Sequence, residues 1–362
     1  MLPTHERFPN VRKIAVLRAN ALGDFIFTLP ALVALRAAYP EAEIVLLALG
    51  WHATFLAGRP GPVDRVVVVP PMAGLTVPQD ARDSDDSDEQ EHFFAAMRQE
   101  HFDLALQMHG GGRYSNPCVL RLGARFTVGS KTPDAPPLDR WIPYIFYQNE
   151  IMRHLEVVAL AGAAPVVLEP RLIVTDRDRT EALSVVPETD QPLVALHPGA
   201  GDSRRHWPPE KFAAVGDALA ADGAQIVVTG IKAERGIISN VLRAMNAATL
   251  DLCGKLSLGG LAGLFECCHL VIANDTGPLH LASAVGAGSV GIYWCGNQIT
   301  FGHITRARHR PILSWRLNCP VCGRNCICET CDHRESFVAD VPIEEVLAAA
   351  RNLLLGPIDE QQ

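Results

Sequence analysis

Residues 270–284 read Leu-Val-Ile-Ala-Asn-Asp-Thr-Gly-Pro-Leu-His-Leu-Ala-Ser-Ala, and this stretch decides the fold. The apolar run Leu270–Ala273 predicts a buried strand of a parallel sheet. A helix is predicted to begin near Pro278, because proline is tolerated in the first helical turn. The N–H groups of Thr276 and Gly277 then point out of the helix start, which favours an anion such as phosphate. Taken alone, the stretch could equally be an ordinary capped corner.

Length and composition indicate a two-domain globular protein. The chain has 362 residues, and single hydrophobic cores stop growing at about 250–300 residues. Hydrophobic residues make up 48% and charged residues 20%, which is ordinary for a protein rich in α/β structure. The net charge of −8 is concentrated in residues 80–91, where seven acidic residues and one arginine sum to −6. No basic stripe is visible, which argues against nucleic acid as a partner.

The sequence predicts a cytoplasmic location. The first ten residues are polar and unlike a signal peptide, and no apolar run reaches the roughly 18–20 residues that a bilayer span needs. Ten cysteines, five of them single or in an adjacent pair, fit a reducing compartment. Peripheral contact with the inner membrane through a basic or apolar face of the first half stays open, although no strongly basic amphipathic helix is seen.

The first half alternates strands and helices. Predicted strands cover Lys13–Arg18, Ala42–Leu49 and Val66–Val69, with a loop at residues 19–24 and a helix over Phe25–Ala38. A helix and then a strand follow within Phe93–Met108. The acidic segment 76–91 is predicted to be a solvated or disordered loop. Residues 109–116 form a glycine-rich loop without the G-x-G-x-x-G spacing of a dinucleotide site.

A helix over Ile145–Gly162 and the prolines that follow it mark the best boundary, and the alternation then restarts. Further strands are predicted at Leu193–Leu196, Ala224–Thr229 and Ser289–Trp294, with helices from Pro208 and over Leu256–Cys268. The pattern predicts an α/β fold with two doubly wound parallel sheets. We expect domains at 1–165 and 171–340, a C-terminal helix and tail at 341–362, and an active site between the domains, beyond the carboxyl ends of the strands.

Three motifs occur in order along the chain. They are Leu22-Gly23-Asp24 with Thr28-Leu29-Pro30-Ala31-Leu32, the loop from His197-Pro198-Gly199 to Arg205-His206-Trp207-Pro208, and Asn274 to His280. Together they resemble glycosyltransferase family 9, the ADP-heptose:lipopolysaccharide heptosyltransferases, from about Val11 to Cys295 and again at the C-terminal helix. The resemblance implies a GT-B fold of two Rossmann-like domains facing a central cleft. It also implies a nucleotide-sugar donor in the second domain, an acceptor in the first and no catalytic metal.

Two residues are predicted to carry the chemistry. Asp24 follows the first strand and could act as a general base, although an aspartate there could instead cap the next helix. The resemblance places the family's base at this Gly-Asp pair. A departing diphosphate needs N–H groups and cations when no metal is present. Arg205 matches the family's basic residue before His-Trp-Pro, whereas its neighbour Arg204 could simply be solvated.

The resemblance also implies a set of donor-binding residues. It comprises His197, Pro198, Gly199, Glu234, Asp275, Thr276, Gly277, Pro278 and His280. Glu234 looks like the family's acid that takes the hydroxyls of the nucleotide ribose, although its loop lacks a second glycine or proline that the family often carries. His280 could instead be a core histidine.

Fewer residues are predicted to bind the acceptor. Gln107, His109, Arg113 and Ser115 resemble the family's acceptor-domain loop, and Gly23 is also expected on the acceptor side. Four arginines could pair with phosphates or acidic sugars, although such scattered charges are more often solvated: Arg113, Arg121, Arg125 and Arg140. The acidic segment 80–91 departs from the family pattern, and near an acceptor site it would repel an anionic lipid.

A second departure is a cysteine-rich loop. Its residues are Cys319, Cys322, Cys326, Cys328 and Cys331, followed by Asp332 and His333. Five thiols within 13 residues have metal-site spacing, and four thiolates in a tetrahedron suit a structural zinc ion. An iron–sulfur cluster, free thiols or a disulfide are the alternatives. A catalytic metal is disfavoured, because no open-site set of carboxylates or histidines accompanies the cysteines.

These features together predict an inverting, metal-independent glycosyltransferase. It would move a heptose-like sugar from an ADP-sugar onto a hydroxyl of a glycan or glycolipid, with lipopolysaccharide core as the expected acceptor. No cofactor is expected for catalysis. The alternative is a GT-B transferase or epimerase that acts on a different nucleotide sugar with another acceptor. A non-catalytic binding protein is disfavoured, because Asp24 accompanies a complete phosphate-binding corner.

Overall fold

The structure is a computed structural model that describes residues 5–79, 87–187 and 189–355. The chain divides into two compact units, Met1–Pro170 and Arg171–Gln362. Each unit contains a six-stranded sheet in which all strand pairs are parallel. The predicted α/β class, with two Rossmann-like parallel sheets, is confirmed.

In unit 1 the strand order is β3-β2-β1-β4-β5-β6. The strands are β1 Lys13–Leu17, β2 Glu43–Ala48, β3 Arg65–Val68, β4 Leu104–Gln107, β5 Phe126–Lys131 and β6 Arg140–Pro143. The central strands β1, β2 and β4 are almost wholly buried, which explains why their sequences are continuous apolar runs. The order reverses between β1 and β4, so ligands are expected at the loops that follow these two strands.

The helices of unit 1 correct the predicted helix over 25–38 and the predicted loop at 19–24. They are α1 Leu22–Ile26, α2 Leu29–Ala38, α3 Gly50–Leu56, α4 Ser87–Gln99, α5 Ser115–Arg121 and α6 Glu150–Leu160. The single helix predicted over 25–38 is two helices, because Pro30 lacks an N–H and is accommodated only in the first turn of α2. Asp24 consequently lies in the first turn of α1 and not in a loop.

The acidic segment is partly helical. Residues 87–91 were predicted as part of a loop, yet they form the first turns of α4, with Asp88 and Glu89 at the start. Acidic side chains are favourable there because they face the positive end of the helix dipole. Residues 80–86 lie outside the described residues.

Unit 2 repeats the topology of unit 1, with the strand order β12-β11-β10-β7-β8-β9. Its strands are β7 Leu193–His197, β8 Gln225–Val228, β9 Thr249–Asp251, β10 Leu270–Asn274, β11 Gly288–Trp294 and β12 His309–Ser314. Its helices are α7 Asp176–Leu183, α8 Pro209–Ala221, α9 Arg235–Ala244, α10 Leu258–Cys267, α11 Gly277–Ala284, α12 Cys295–Phe301 and α13 Ile343–Leu355. The order reverses between β7 and β10, and residues 270–284 include β10 and the helix that follows it.

The core of unit 2 lies between its sheet and flanking helices that include α8, α9 and α13. Trp207 and Phe212 are fully buried in it, and their rings meet edge to face at 5.1 Å between centroids. The indole N–H of Trp207 donates to the Val341 carbonyl at 3.0 Å, which ties the loop after β7 to the chain before α13. In the described part of the chain, no helix combines the length and apolar character needed to cross a membrane.

Candidate functional site

Asn274 joins the two loops that meet at the switch point of unit 2. Its side chain is completely buried at the end of β10. The Nδ2 group donates to the Pro198 carbonyl at 2.7 Å, and Oδ1 accepts a hydrogen bond of 3.0 Å from the Trp207 backbone N–H. The loop after β7 and the loop after β10 are therefore held against each other by a single amide. The sequence-based site set did not include Asn274.

Asp275 is the centre of the cluster and is 1% exposed. Oδ2 accepts hydrogen bonds from Nδ2 of Asn297 at 2.7 Å and from Nη1 of Arg205 at 3.4 Å. Oδ1 lies 3.3 Å from Nε2 of His280. The buried carboxylate thus fixes a cation, an amide and an imidazole around the end of β10. Asn297, on α12, had no sequence signal.

Two adjacent arginines, each 35% exposed, have different carboxylate partners. Arg204 bonds within its own turn, where its Nε lies 2.9 and 3.0 Å from the two carboxylate oxygens of Asp202. Arg205 reaches Asp275 instead and keeps about a third of its side chain exposed, at 35%. Arg205 therefore has a fixed position at the switch point and remains accessible to an anion from solvent.

Helix α11 starts beside this cluster at Gly277, with Pro278 in its first turn. The backbone of Thr276 is extended, and its side chain makes no capping hydrogen bond with the helix. The N–H groups of the first turn are therefore not taken by that side chain. A helix start that presents N–H groups next to an accessible guanidinium suits a phosphate or diphosphate.

Glu234, which follows β8, lies in contact with Gly199, which follows β7. A Cβ atom on Gly199 would lie 2.0 Å from Oε1 of Glu234, so the carboxylate can approach only because residue 199 is glycine. Oε2 of Glu234 accepts a hydrogen bond of 2.9 Å from the Ile231 N–H. This fixes the carboxylate, which is about one fifth exposed.

His197 is buried beneath this contact. Its Nδ1 lies 3.0 Å from Oγ1 of Thr229, and its Nε2 lies 4.0 Å from Oε2 of Glu234. Burial lowers the pKa of His197 to about 4, although the charge of Glu234 acts in the opposite direction. The imidazole is therefore neutral at neutral pH; it is hydrogen-bonded to Thr229, whereas Glu234 lies beyond hydrogen-bond distance of its other nitrogen.

In unit 1, Asp24 is held by Arg18. The Arg18 side chain is 2% exposed; Nη2 donates to Oδ1 of Asp24 at 2.9 Å, and Nε donates to its backbone carbonyl at 3.2 Å. Nη1 donates to the Met108 carbonyl, and Oε2 of Glu150 lies 3.4 Å from Nη2. Asp24 itself is 27% exposed, so a fixed carboxylate faces solvent at the switch point of this sheet. Gly23, beside it, is buried.

The predicted acceptor residues differ in burial, with Gln107 buried and Arg113 exposed. Gln107 is completely buried, and its Nε2 donates to the His109 and Gly110 carbonyls and to Oγ of Ser115. It therefore shapes the glycine-rich loop from within. Arg113 is 61% exposed and lies 3.6 Å from Asp134.

The other three arginines of the acceptor side have partners within unit 1. Arg121 forms an ion pair with Glu91, and Arg125 forms one with Asp103 at 2.9 Å. Arg140 donates to the backbone carbonyls of Glu6 and Leu160. Of the four arginines, Arg113 thus has the most exposed side chain for an anionic group.

The structure brings part of the cysteine-rich loop together. Cys319, Cys322, Cys331 and His333 have ligand atoms that all lie within 4.8 Å of one another. Cys326 and Cys328, which the sequence also suggested, are not in this group. His333 joins three of the five predicted cysteines, so the donor set is three thiols and one imidazole.

Comparison with known proteins assigns the family. The model of "Glycosyltransferase family 9 (heptosyltransferase)" matches residues 91–328. "Lipopolysaccharide heptosyltransferase 2" of Escherichia coli (strain K12) is 25% identical over 294 residues, which is 78% of this chain and 82% of that protein. The chain therefore belongs to glycosyltransferase family 9, the heptosyltransferase family, and is a glycosyltransferase.

Solved structures share the fold over nearly the whole chain. The glycosyl transferase family 9 from Veillonella parvula DSM 2008 superposes with a TM-score of 0.77 at 21% identity, covering 98% of this chain and 99% of that one. The E. coli ADP-heptose lps heptosyltransferase II superposes with a TM-score of 0.71 at 19% identity, covering 95% and 98%. These likenesses confirm the GT-B type of architecture predicted from the motifs.

Proposed function

We propose that this chain transfers heptose from ADP-heptose to a hydroxyl group of lipopolysaccharide core, with inversion at the anomeric carbon and without a catalytic metal. ADP-heptose and lipopolysaccharide are named in the descriptions of similar proteins, and the core region is the acceptor expected from the family resemblance. The observation that carries the proposal is the contact of Arg205 with the buried Asp275 at the start of α11. This arrangement suits the diphosphate of a nucleotide sugar.

In the proposed donor complex the diphosphate is held by Arg205 and by the N–H groups of Thr276, Gly277 and the first turn of α11. Asp275, buried and bonded to His280, keeps Arg205 in place. The Glu234 carboxylate, which is fixed and partly exposed, accepts one hydrogen bond from each of two ribose hydroxyl groups.

In the proposed reaction Asp24 accepts the proton of the acceptor hydroxyl, and the oxygen of that hydroxyl attacks the anomeric carbon. The bond to the diphosphate oxygen breaks on the opposite face, so the configuration inverts and ADP leaves. Arg18 keeps the Asp24 carboxylate oriented through two hydrogen bonds to the same residue. The negative charge that develops on ADP is stabilised by Arg205 and by the N–H groups, which together take the place of a metal ion.

The proposal includes a peripheral contact of unit 1 with the membrane that carries a lipid acceptor. Its support is the exposure of three large apolar side chains, Trp141 at 44%, Ile145 at 56% and Phe146 at 68%. Nζ of Lys131 lies 4.9 Å from the Trp141 ring centroid and adds a positive charge beside that ring. Co-sedimentation with anionic lipid vesicles tests this contact, since Phe146→Ser should weaken it without changing turnover of a soluble acceptor fragment.

A donor screen tests the proposed reaction. Nucleotide release is measured with ADP-heptose, other ADP-sugars, and UDP- and GDP-sugars, each with a heptose-containing core acceptor. We expect release with ADP-heptose to depend on the acceptor and to fall about 10²–10⁴-fold in Asp24→Asn. The matched control is Glu41→Gln, which changes an exposed carboxylate of unit 1. Unchanged turnover in Asp24→Asn would refute the base, and preference for another nucleotide sugar would refute the donor.

A further inference from the structure

The cysteine-rich loop between β12 and α13 begins as a short hairpin. Asn318 and Asn325 form an antiparallel bridge, and the Cys326 N–H donates to the Leu317 carbonyl at 2.9 Å. At the tip, Cys319-Pro320-Val321-Cys322-Gly323 makes a tight turn in which Gly323 has φ +72°. The left-handed backbone at residue 323 favours glycine, and it lets the chain turn back immediately after the second thiol.

This turn presents two thiols on the same side. The Gly323 N–H donates to the Cys319 carbonyl at 3.0 Å, and the Val321 N–H points at Sγ of Cys319 at 3.4 Å. Backbone N–H groups directed at a sulfur stabilise its thiolate form, which is the form that binds metals. Cys319 is 3% exposed, so the turn encloses one thiol and leaves the other, Cys322, at the surface.

The other two donors come from the chain that returns past the hairpin. Sγ of Cys331 lies 3.6 Å from Nδ1 of His333, and the ligand atoms of all four residues lie within 4.8 Å of one another. Ligands 2.0–2.3 Å from one tetrahedral zinc ion lie about 3.4–3.8 Å apart. A small contraction of this group therefore completes a mononuclear site. A polynuclear iron–sulfur cluster binds its protein ligands through different iron atoms and spaces them further apart.

We propose that Cys319, Cys322, Cys331 and His333 bind one tetrahedral Zn²⁺ ion. Three thiolates and an imidazole form a soft donor set that suits zinc. Four protein ligands leave no open position for substrate or water, so the ion is structural and takes no part in the transfer reaction. Cys326 is not needed, and its Sγ lies 3.5 Å from the Arg324 carbonyl.

The site lies next to the turn that presents Arg205. The Phe337 N–H donates to the Arg204 carbonyl at 2.8 Å, and Oγ of Ser203 donates to the Arg334 carbonyl at 3.0 Å. Oγ of Ser336 donates to the His206 carbonyl at 2.7 Å. Three hydrogen bonds thus connect the chain just after His333 with the residues that flank Arg205. The zinc ion would hold residues 334–337 in place and thereby also the turn at residues 203–206. The expected effect on the affinity for ADP-heptose rests on the function proposed above.

Metal analysis of the full chain tests the site directly. The protein is purified without added metal, and zinc and iron are measured by mass spectrometry. We expect about one zinc ion per chain, and X-ray absorption should show three sulfur ligands at about 2.3 Å and one nitrogen at about 2.0 Å. Cys331→Ser and His333→Ala should lose most of the zinc. Cys328→Ser, which changes an exposed thiol of the same loop, should keep it.

Several outcomes would overturn the proposal. One is less than about a tenth of a metal ion per chain; another is full metal content in both ligand variants; a third is a Cys319–Cys322 disulfide in the non-reduced protein. Stoichiometric iron that is lost in the same two variants would support the four-ligand site and overturn the choice of zinc. The wild-type measurement is decisive even if a variant fails to fold.

The link to the Arg205 turn has its own readout. Zinc is stripped from the wild-type protein with a thiol-reactive mercurial and a chelator, followed by reduction, and amide hydrogen exchange is compared with the zinc-loaded protein. We expect faster exchange at residues 203–206 and an increase of about tenfold in the KM for ADP-heptose. Unchanged exchange there would overturn the bracing role. A protein that does not use ADP-heptose would still report on the metal site through zinc content and exchange, so the two proposals fail separately.

Discussion

Nη2 of Arg18 lies 2.9 Å from Oδ1 of Asp24, and the arginine that makes this contact is 2% exposed whereas the aspartate is 27% exposed. A buried cation thus fixes a carboxylate that solvent can reach. The same guanidinium also bonds the Asp24 and Met108 carbonyls. Three bonds in different directions need the planar fork of arginine, which a lysine ammonium does not reproduce.

Arg18→Lys should therefore lower kcat by about 10–100-fold, because Asp24 loses its fixed orientation while the proposed donor site of unit 2 is untouched. The KM for ADP-heptose should stay within about twofold. Steady-state ADP release measures both constants. Arg98→Lys, on the exposed face of α4, is the control and should leave kcat unchanged. A kcat for Arg18→Lys equal to wild type would show that Arg18 does not position Asp24 for the reaction.

Arg205→Met should reduce kcat/KM for the donor by about 10–100-fold, since the one charge-assisted contact proposed between this residue and the diphosphate is lost. Arg204→Met should change it by less than about threefold, because Arg204 is bonded to Asp202 within its own turn. Steady-state kinetics with varied donor concentration compares the two. Equal losses in both variants would contradict the separate roles assigned to these neighbours.

Gly199→Ala should weaken donor binding by displacing Glu234. The new methyl group would lie 2.0 Å from Oε1 of Glu234, and the carboxylate is the part that can move. The donor KM should rise about tenfold. Gly201→Ala is the matched control, because a Cβ atom there meets nothing within 4 Å. Isothermal titration with ADP-heptose or ADP gives the affinities, and equal affinity in the two variants would argue against a role for the Glu234–Gly199 contact.

Asn274→Ala should lower the free energy of unfolding by about 2–4 kcal/mol. The substitution leaves the buried Pro198 carbonyl and the Trp207 N–H without their partner, and each unpaired group costs about 1–3 kcal/mol. Urea denaturation measures the change. Asn240→Ala, at an exposed position of α9, should cost less than about 0.5 kcal/mol. A loss at position 274 no larger than at position 240 would contradict the role of Asn274 in joining the two loops.

His309 should contribute to acid sensitivity. Burial lowers its pKa to about 4, with the charges of Arg308 and Arg310 acting in the same direction. Because the unfolded chain titrates near pH 6.5, the unfolded state binds more protons between these values, and stability falls as pH drops from 6.5 towards 4. The slope is at most about 1.4 kcal/mol per pH unit for one histidine. His309→Gln should remove that part of the slope when urea titrations are repeated at several pH values between 4 and 6.5.

The strands at the centre of each sheet could be predicted because they are buried on both faces and therefore read as unbroken apolar runs. The edge strand β9 (Thr249–Asp251) had no such run, and the sequence did not indicate it. The division into α1 and α2 was missed for a different reason. The apolar spacing continues across Phe27 and Thr28, and only the position of Pro30 within the first turn of α2 shows where the new helix begins.

Part of the candidate site could be proposed from the sequence. Residues 275–280 and the loop after β7 stood out because their motifs are local in sequence, and the structure holds these two loops together through Asn274. Asn297 could not, since it reaches Asp275 from a helix 22 residues further along the chain. The cysteine spacing indicated a metal site but could not choose among five thiols, because ligand selection depends on the turn at Cys319–Gly323 and on the position of His333.

The sequence by itself determined the class of fold and marked residues 274–280 as a candidate anion-binding corner, because burial periodicity and helix-start chemistry are properties of neighbouring residues. Only the tertiary structure decided which side chains act together. It paired Arg205 with Asp275 and Arg204 with Asp202, placed Arg18 behind Asp24, set Glu234 against Gly199, and grouped Cys319, Cys322 and Cys331 with His333. These pairings join atoms from different loops, and their distances are fixed by how the strands are ordered and packed, which no local pattern of residues records.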